Sequence, residues 1–156
     1  MLIGIVAVDK QGAIGKGGKL PWHYSADMKF FKETTIGNAV VMGRKTWLTL
    51  KKPLQNRLNI VLSRQSEIEP QESLIVLGDV ESVLAFGKSM TTDLFVIGGA
   101  QIYRQFMPYI EKWIVTEVPL TVKGADAFMP EGYLKGFKCV DKKKLDDQLV
   151  VKFYTR

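Results

Sequence analysis

Short apolar runs rich in β-branched residues recur at positions 2–8, 39–42, 59–62, 74–77, 94–97 and 113–118, each bounded by glycine, proline, asparagine or charge. Few polar residues interrupt them, which predicts strands buried on both faces. Between the runs, residues 24–35, 44–50, 80–87 and 101–107 carry apolar side chains at helical spacing, and Pro108 closes the last segment. Ser25 is the expected N-cap of the first helix. Alternation of strand and helix predicts an α/β fold: a central, mostly parallel twisted sheet of about eight strands with helices on both faces. Toward the C-terminus, 137–140 and 149–154 predict a closing antiparallel hairpin across a polar, solvated turn of Lys142, Lys143, Lys144, Asp146 and Asp147. A chain of 156 residues is expected to form one domain.

One connection is too long to be a simple turn. Residues 9–23 contain Gly12, Gly15, Gly17 and Gly18, yet Ile14, Leu20 and Trp22 anchor them with apolar side chains, as in a lid over a site. The run ending at Ile97 stops at Gly98-Gly99 and resumes with helical spacing. A glycine pair lets backbone approach a bulky ligand, and the N–H groups of Ala100, Gln101 and Ile102 would face an anion. Taken singly, such a pair is more often an ordinary tight connection. The pattern repeats at 41–47, now with Gly43, Arg44, Lys45 and Thr46, and Ser63-Arg64 follows the next strand. Two anion-ready helix starts together with Ser63-Arg64 suit a ligand with several phosphates, and arginine suits an additional monophosphate. There is no Gly-x-Gly-x-x-Gly after the first strand and no Walker lysine motif, which speaks against a standard dinucleotide fold or P-loop.

Asp27 has two readings. An acidic residue in a first helical turn is commonly there to suit the helix dipole. At helical spacing, however, Asp27 shares a face with Phe30 and Phe31, so its carboxylate is partly desolvated, with its pKa raised. Lys29 and Lys32 lie on other faces. A ligand offering paired N–H donors would complete the site.

Lysine and arginine number 22 against 16 acidic residues, a net charge of +6 that favours anionic partners: a phosphorylated cofactor, a polycarboxylate or nucleic acid. The apolar N-terminus lacks a basic leader and reaches Asp9 too early for a signal peptide or a membrane span. The single Cys139 and single His23 argue against a disulfide and a His/Cys metal site, so a reducing, cytoplasmic setting is expected.

Together, Ile5-Val6-Ala7, Ile14-Gly15, Leu20-Pro21-Trp22, Ala26-Asp27 with Phe31, the 41–47 segment, Pro53-Leu54 with Arg57, Ser63-Arg64, the 96–103 segment and Thr116-Glu117 resemble dihydrofolate reductases of the bacterial chromosomal type, over essentially the whole chain. The resemblance implies NADPH-dependent reduction of dihydrofolate, inhibition by antifolates, a monomer, and no functional role for metal, nucleic acid or membrane. It implies a catalytic set of Asp27, Leu20, Trp22, Tyr103 and Thr116, with Asp27 and Thr116 holding the pterin. Ile5, Val6 and Ile97 would line the pterin pocket; Met28, Phe31, Leu50 and Leu54 would enclose the rings; Lys32, Lys52 and Arg57 would lie on the substrate side, Arg57 clamping the glutamate α-carboxylate. Ala7, Ile14 and Gly15 would flank the nicotinamide. Gly43, Arg44, Lys45 and Thr46, with Gly98, Gly99, Ala100, Gln101, Ile102 and Tyr103, would hold the pyrophosphate, and Arg44, Leu62, Ser63 and Arg64 the phosphorylated adenosine. It also implies a cis Gly98–Gly99 peptide and an adenosine-binding subdomain over roughly residues 39–88. Ala100 departs from the family's third glycine, and Asp126, between Ala125 and Ala127, is expected to steady the lid. A related NADPH-dependent pyrimidinone reductase of riboflavin biosynthesis is the nearest alternative, and a basic nucleic-acid-binding domain a more distant one.

Overall fold

The computed structural model of the chain describes residues 1–64, 68–146 and 148–156. Its elements run β1 (Leu2–Val8), β2 (Ala13–Gly15), α1 (Ser25–Thr35), β3 (Ala39–Gly43), α2 (Arg44–Leu50), β4 (Leu58–Leu62), β5 (Leu74–Leu77), α3 (Val80–Lys88), β6 (Leu94–Val96), α4 (Ala100–Phe106), a 3₁₀ turn (Met107–Tyr109), β7 (Lys112–Glu117), β8 (Ala127–Phe128), β9 (Lys138–Lys144) and β10 (Val150–Thr155). Eight strands form one sheet in the order β5-β4-β3-β6-β1-β7-β10-β9. Strands β5 through β7 in that order pair in parallel, and β10 runs antiparallel to both β7 and β9.

Helices cover both faces. Phe30 of α1 and Trp47 of α2 pack on one face with Ile3, Ile5, Val40 and Met42, while Val83 of α3 and Ile102 and Phe106 of α4 pack on the other with Leu2, Val6, Val41 and Val96. Alternate side chains of β1 therefore enter different cores, which is why the strand is apolar at nearly every position. Because β1, β3, β4, β5, β6 and β7 are all parallel, their C-terminal ends share one edge of the sheet, the edge where open α/β sheets bind ligands.

The structure corrects four details. Tyr24, with no side-chain cap bond, is the N-cap of α1, and Ser25 is already helical. Helix α4 ends at Phe106, and Pro108 sits within the following 3₁₀ turn, where its missing N–H costs nothing. Lys142, Lys143 and Lys144 belong to strand β9, not to the turn. That edge strand is exposed along its whole length, so burial imposes no apolar alternation, and lysines there discourage pairing with another chain. Asp147 of the expected turn lies outside the described residues. The small β2–β8 pair was not expected at all; it joins the lid to the segment after β7. Among the described residues no helix is long and apolar enough to cross a membrane.

Candidate active site

A cleft of about 1870 Å³ runs along the C-terminal edge of the parallel strands. Pockets for a single small ligand span roughly 300–1,000 Å³, so this cleft has room for two ligands side by side. Of the residues singled out from the sequence as site groups, Trp22 and Lys52 do not line it; the others do. The Trp22 indole N–H is buried without an acceptor among the described residues.

One half of the cleft is built around Asp27. Helix α1 brings the carboxylate against β7, where the buried Thr116 hydrogen-bonds to it. Burial raises the Asp27 pKa, and the Thr116 bond offsets this only in part. The nearby cation Lys29 is directed to Glu33 at 4.0 Å. On the floor, buried Tyr103 donates its hydroxyl to the Ile5 carbonyl at 2.7 Å, and burial pushes the phenol's pKa far up, so it stays a neutral donor. At the mouth, Arg57 is 7% exposed, not the surface cation its position after a turn suggests. Its Nε donates to the Gln55 carbonyl at 2.9 Å and one terminal nitrogen to Thr35 Oγ1 at 3.0 Å, with the guanidinium 6.0 Å from the centre of the Phe31 ring. Burial lowers its pKa, but an arginine remains charged. A buried guanidinium bonded to a neutral carbonyl and a neutral hydroxyl is matched to a carboxylate.

The other half is built from helix starts. Gly43 and Gly99 are the N-caps of α2 and α4, and neither helix has a side-chain cap, so first-turn N–H groups remain available. The Gly43 N–H donates to the Gly98 carbonyl at 2.9 Å, setting the two starts side by side. A Cβ on Gly43 would meet Ile102 Cγ1 at 2.9 Å, and one on Gly98, whose φ is +114°, would meet the Tyr103 ring at 3.2 Å. Beside Gly99 the nearest atom to a Cβ would be Thr46 Oγ1 at 4.0 Å, an open cradle between the two starts. The Gly98–Gly99 peptide is cis. Arg44, Lys45, Ser63 and Arg64 stand along the same half. Hydroxyl, backbone and guanidinium donors in this arrangement fit an anionic dinucleotide with an additional phosphate.

The lid is held at its start and at its tip. Its tip is a two-residue hairpin: Lys16 and Lys19 exchange backbone bonds of 2.9 and 3.2 Å around Gly17 and Gly18, with φ of +60° and +79°, the geometry a type I′ turn requires. The Gly17 N–H donates to Asp126 Oδ2 at 3.0 Å and the Asp126 N–H to the Gly15 carbonyl at 3.1 Å, so Asp126 steadies the lid as expected. The other anchor was not recognised. Asp9 is 4% exposed and accepts N–H bonds from Gln11, Ala13 and Val122, each at 2.8 Å. Burial alone would raise its pKa, but these backbone bonds together hold it below the ordinary carboxyl value. Its stabilising effect is therefore present above the ordinary value of 3.8 and is lost as pH falls through the lower, folded value. Asp9→Ala is expected to cost about 3 kcal/mol in denaturant unfolding at neutral pH, since it leaves buried amides without an acceptor. The loss should shrink in acid; an unchanged midpoint at neutral pH would refute the role.

Further along the cleft, Gly78, Asp79, Val80, Thr49, Arg104, Gln105 and the 128–131 segment complete a wall that sequence reading missed. The glycine after β5 was the available signal.

Comparison with known proteins points the same way. The dihydrofolate reductase family model matches residues 1–155. A dihydrofolate reductase of Neisseria gonorrhoeae is 43% identical over 129 residues, covering 81% of this chain and 77% of that protein. One from Bacillus subtilis is 36% identical over 146 residues, covering 92% of this chain and 84% of its own. A solved dihydrofolate reductase from Enterococcus faecalis, complexed with NADP(H) and RAB-propyl, superposes with a TM-score of 0.90 at 34% identity, covering all of this chain and 96% of the other. These matches decide against the pyrimidinone reductase alternative. From the glycine-paired helix starts to the desolvated acid of α1, and by sequence from end to end, the chain belongs to the dihydrofolate reductase family.

Proposed function

We propose that the half-buried Asp27 carboxylate grips the pyrimidine edge of dihydrofolate, accepting from its ring N–H and exocyclic amino group, and so positions it for the chain's reaction. That reaction is the NADPH-dependent reduction of 7,8-dihydrofolate to 5,6,7,8-tetrahydrofolate, which serves one-carbon metabolism. The observation that carries the assignment is a desolvated carboxyl, raised in pKa, whose neighbour in the cleft is a hydroxyl and not a base. Such a group is costly when ionised alone and is neutralised by a ligand with paired donors. Antifolates that present the same donor pair compete for it.

Met28, Phe31, Leu50 and Leu54 pack the rings, and Arg57 binds the α-carboxylate of the glutamate tail, with Lys32 beside it at the mouth. NADPH, when bound, supplies the reducing equivalents. Gly43, Thr46, Gly99 and the α4 start hold its pyrophosphate, and Arg44, Ser63 and Arg64 its 2′-phosphate, within a subdomain of residues 39–88. Ile14, Gly15 and Ala7 keep water from the nicotinamide side, where a dry contact favours transfer. The pterin nitrogen beside the reduced carbon must also gain a proton. Asp27 holds the opposite edge of the ring and does not reach that nitrogen. The proton enters through water when the lid around Leu20, 61% exposed, moves aside. Asp27 assists from a distance, because its negative charge favours the protonated pterin. The cleft is complete within one chain, which supports action as a monomer; the lone, exposed Cys139 suits the cytoplasm.

Loss of NADPH absorbance on adding dihydrofolate tests the reaction directly. Arg64→Ala should weaken NADPH on the order of 10-fold or more while leaving NADH nearly unchanged, since a guanidinium–phosphate contact is charge-assisted. Equal loss for both coenzymes would remove Arg64 from the 2′-phosphate contact.

A further inference from the structure

The adenosine end of the cleft carries an acid as well as a cation. Strands β4 and β5 pair with Leu62 opposite Leu77, and the Ser63 N–H donates to the Leu77 carbonyl at 2.9 Å, so the two chain segments leave the sheet together. Arg64 and Asp79 each lie two residues beyond that matched pair, and both line the cleft. With adjacent strands about 4.8 Å apart, their charged groups share one small region.

Asp79 is held in place there. It is the N-cap of α3, and its Oδ1 accepts the Ser82 N–H at 2.7 Å. Hydrogen bonds from Ser82, and after them the charge of Arg64, keep its carboxyl below the ordinary value, so it is ionised at neutral pH. A carboxylate has about four lone-pair sites. Capping therefore leaves it able to accept from a ligand.

We propose that Asp79 sets the coenzyme preference of this chain: it repels the 2′-phosphate of NADPH and accepts the ribose 2′-hydroxyl of NADH, so that the discrimination exerted by Arg64 is only partly expressed. In dinucleotide sites generally, an acid on the 2′-hydroxyl marks NAD and an arginine marks NADP. Here the two stand at neighbouring strand ends. The proposal rests on the reading of Arg64 as the 2′-phosphate contact.

Asparagine caps a helix as well as aspartate does, so Asp79→Asn removes the charge and keeps the cap. Binding of NADPH and NADH to the protein without substrate, followed by titration calorimetry, is the readout. In low salt the variant should bind NADPH on the order of 5-fold more tightly, the scale of one charge opposing a phosphate through water-like dielectric. NADH should be unchanged or weaker, the difference should fade in high salt, and the unfolding midpoint should stay in place. An unchanged NADPH-to-NADH ratio, or an equal shift for both, overturns the proposal. Arg64→Ala, measured alongside, separates the two levels. If it loses NADPH selectively while Asp79→Asn leaves the ratio alone, only the role of Asp79 falls; if it too leaves the ratio alone, the 2′-phosphate reading falls with it.

Discussion

Asp27→Asn is expected to lower turnover of dihydrofolate roughly 100- to 1,000-fold, the range seen when one preorganised electrostatic group is removed from a dry site. Asparagine keeps the size and an acceptor oxygen, so the fold and NADPH affinity should stay close to those of the parent. What it lacks is the negative charge that favours a protonated pterin. The variant should then depend on protonation of the substrate by bulk solvent, and its rate should climb as pH is lowered where the parent has levelled off. Stability should move the other way from activity. The folded-state pKa of Asp27 is raised, so its contribution is present below the ordinary carboxyl value of 3.8 and is lost as pH rises through the folded value. At neutral pH the ionised carboxylate is a net cost to the unliganded protein. The asparagine variant should melt at the same temperature or higher at neutral pH, with the gap closing toward acid. Full activity in that variant would sink the pocket assignment, whatever its melting temperature.

The desolvation of Asp27 could be read from the sequence because its signal is local: one acid and two phenylalanines on one face of one helix. The buried strands were legible for a similar reason, since β1 and β3 serve two cores at once and show it in nearly unbroken apolar runs. Long-range features were hidden. Arg57 looks like a surface cation until Thr35 and Phe31, on the helix ending just before β3, close over it. Asp9 is one acid at a strand end until Val122, 113 residues later, donates to it. Asp79 lies near Arg64 only through the β4–β5 register. Strand β9 left no apolar trace because nothing packs over most of its length, and its lysines read as a turn. For Arg57, Asp9 and Asp79 the missing information was a partner brought in by the fold from elsewhere in the sequence.

Gly4 is the strongest instance, and the largest stability effect follows from it. It lies inside β1, where alanine would ordinarily be better than glycine by roughly 0.5–1 kcal/mol for reasons of backbone entropy. Gly4 is paired across the ladder with Trp113, and a Cβ built there would fall on the indole ring, 2.8 Å from Cη2 and nearer still to Cζ3 and Cε3. The indole cannot easily withdraw. It is fully buried, with the Tyr103 ring 5.8 Å away on one side and Tyr133 edge-on at 5.1 Å on another. Gly4→Ala should therefore destabilise the protein by about 3 kcal/mol, the upper part of the overpacking range and opposite in sign to the propensity effect. Trp113→Leu alone should be destabilising by leaving a cavity, at less than the roughly 3–5 kcal/mol of a truncation to alanine. Combined, the two should cost less than their sum by more than about 1 kcal/mol, because the new methyl group enters the space the indole gave up. The clash should also reach the active site, since Tyr103 braces both the indole and the Ile5 carbonyl: Gly4→Ala should raise KM for both substrates even under conditions where it remains folded. Urea unfolding of the four proteins measures the coupling. Strict additivity would mean that the sheet absorbs the methyl group by moving the backbone, and that the Gly4–Trp113 contact does not set the position of Tyr103.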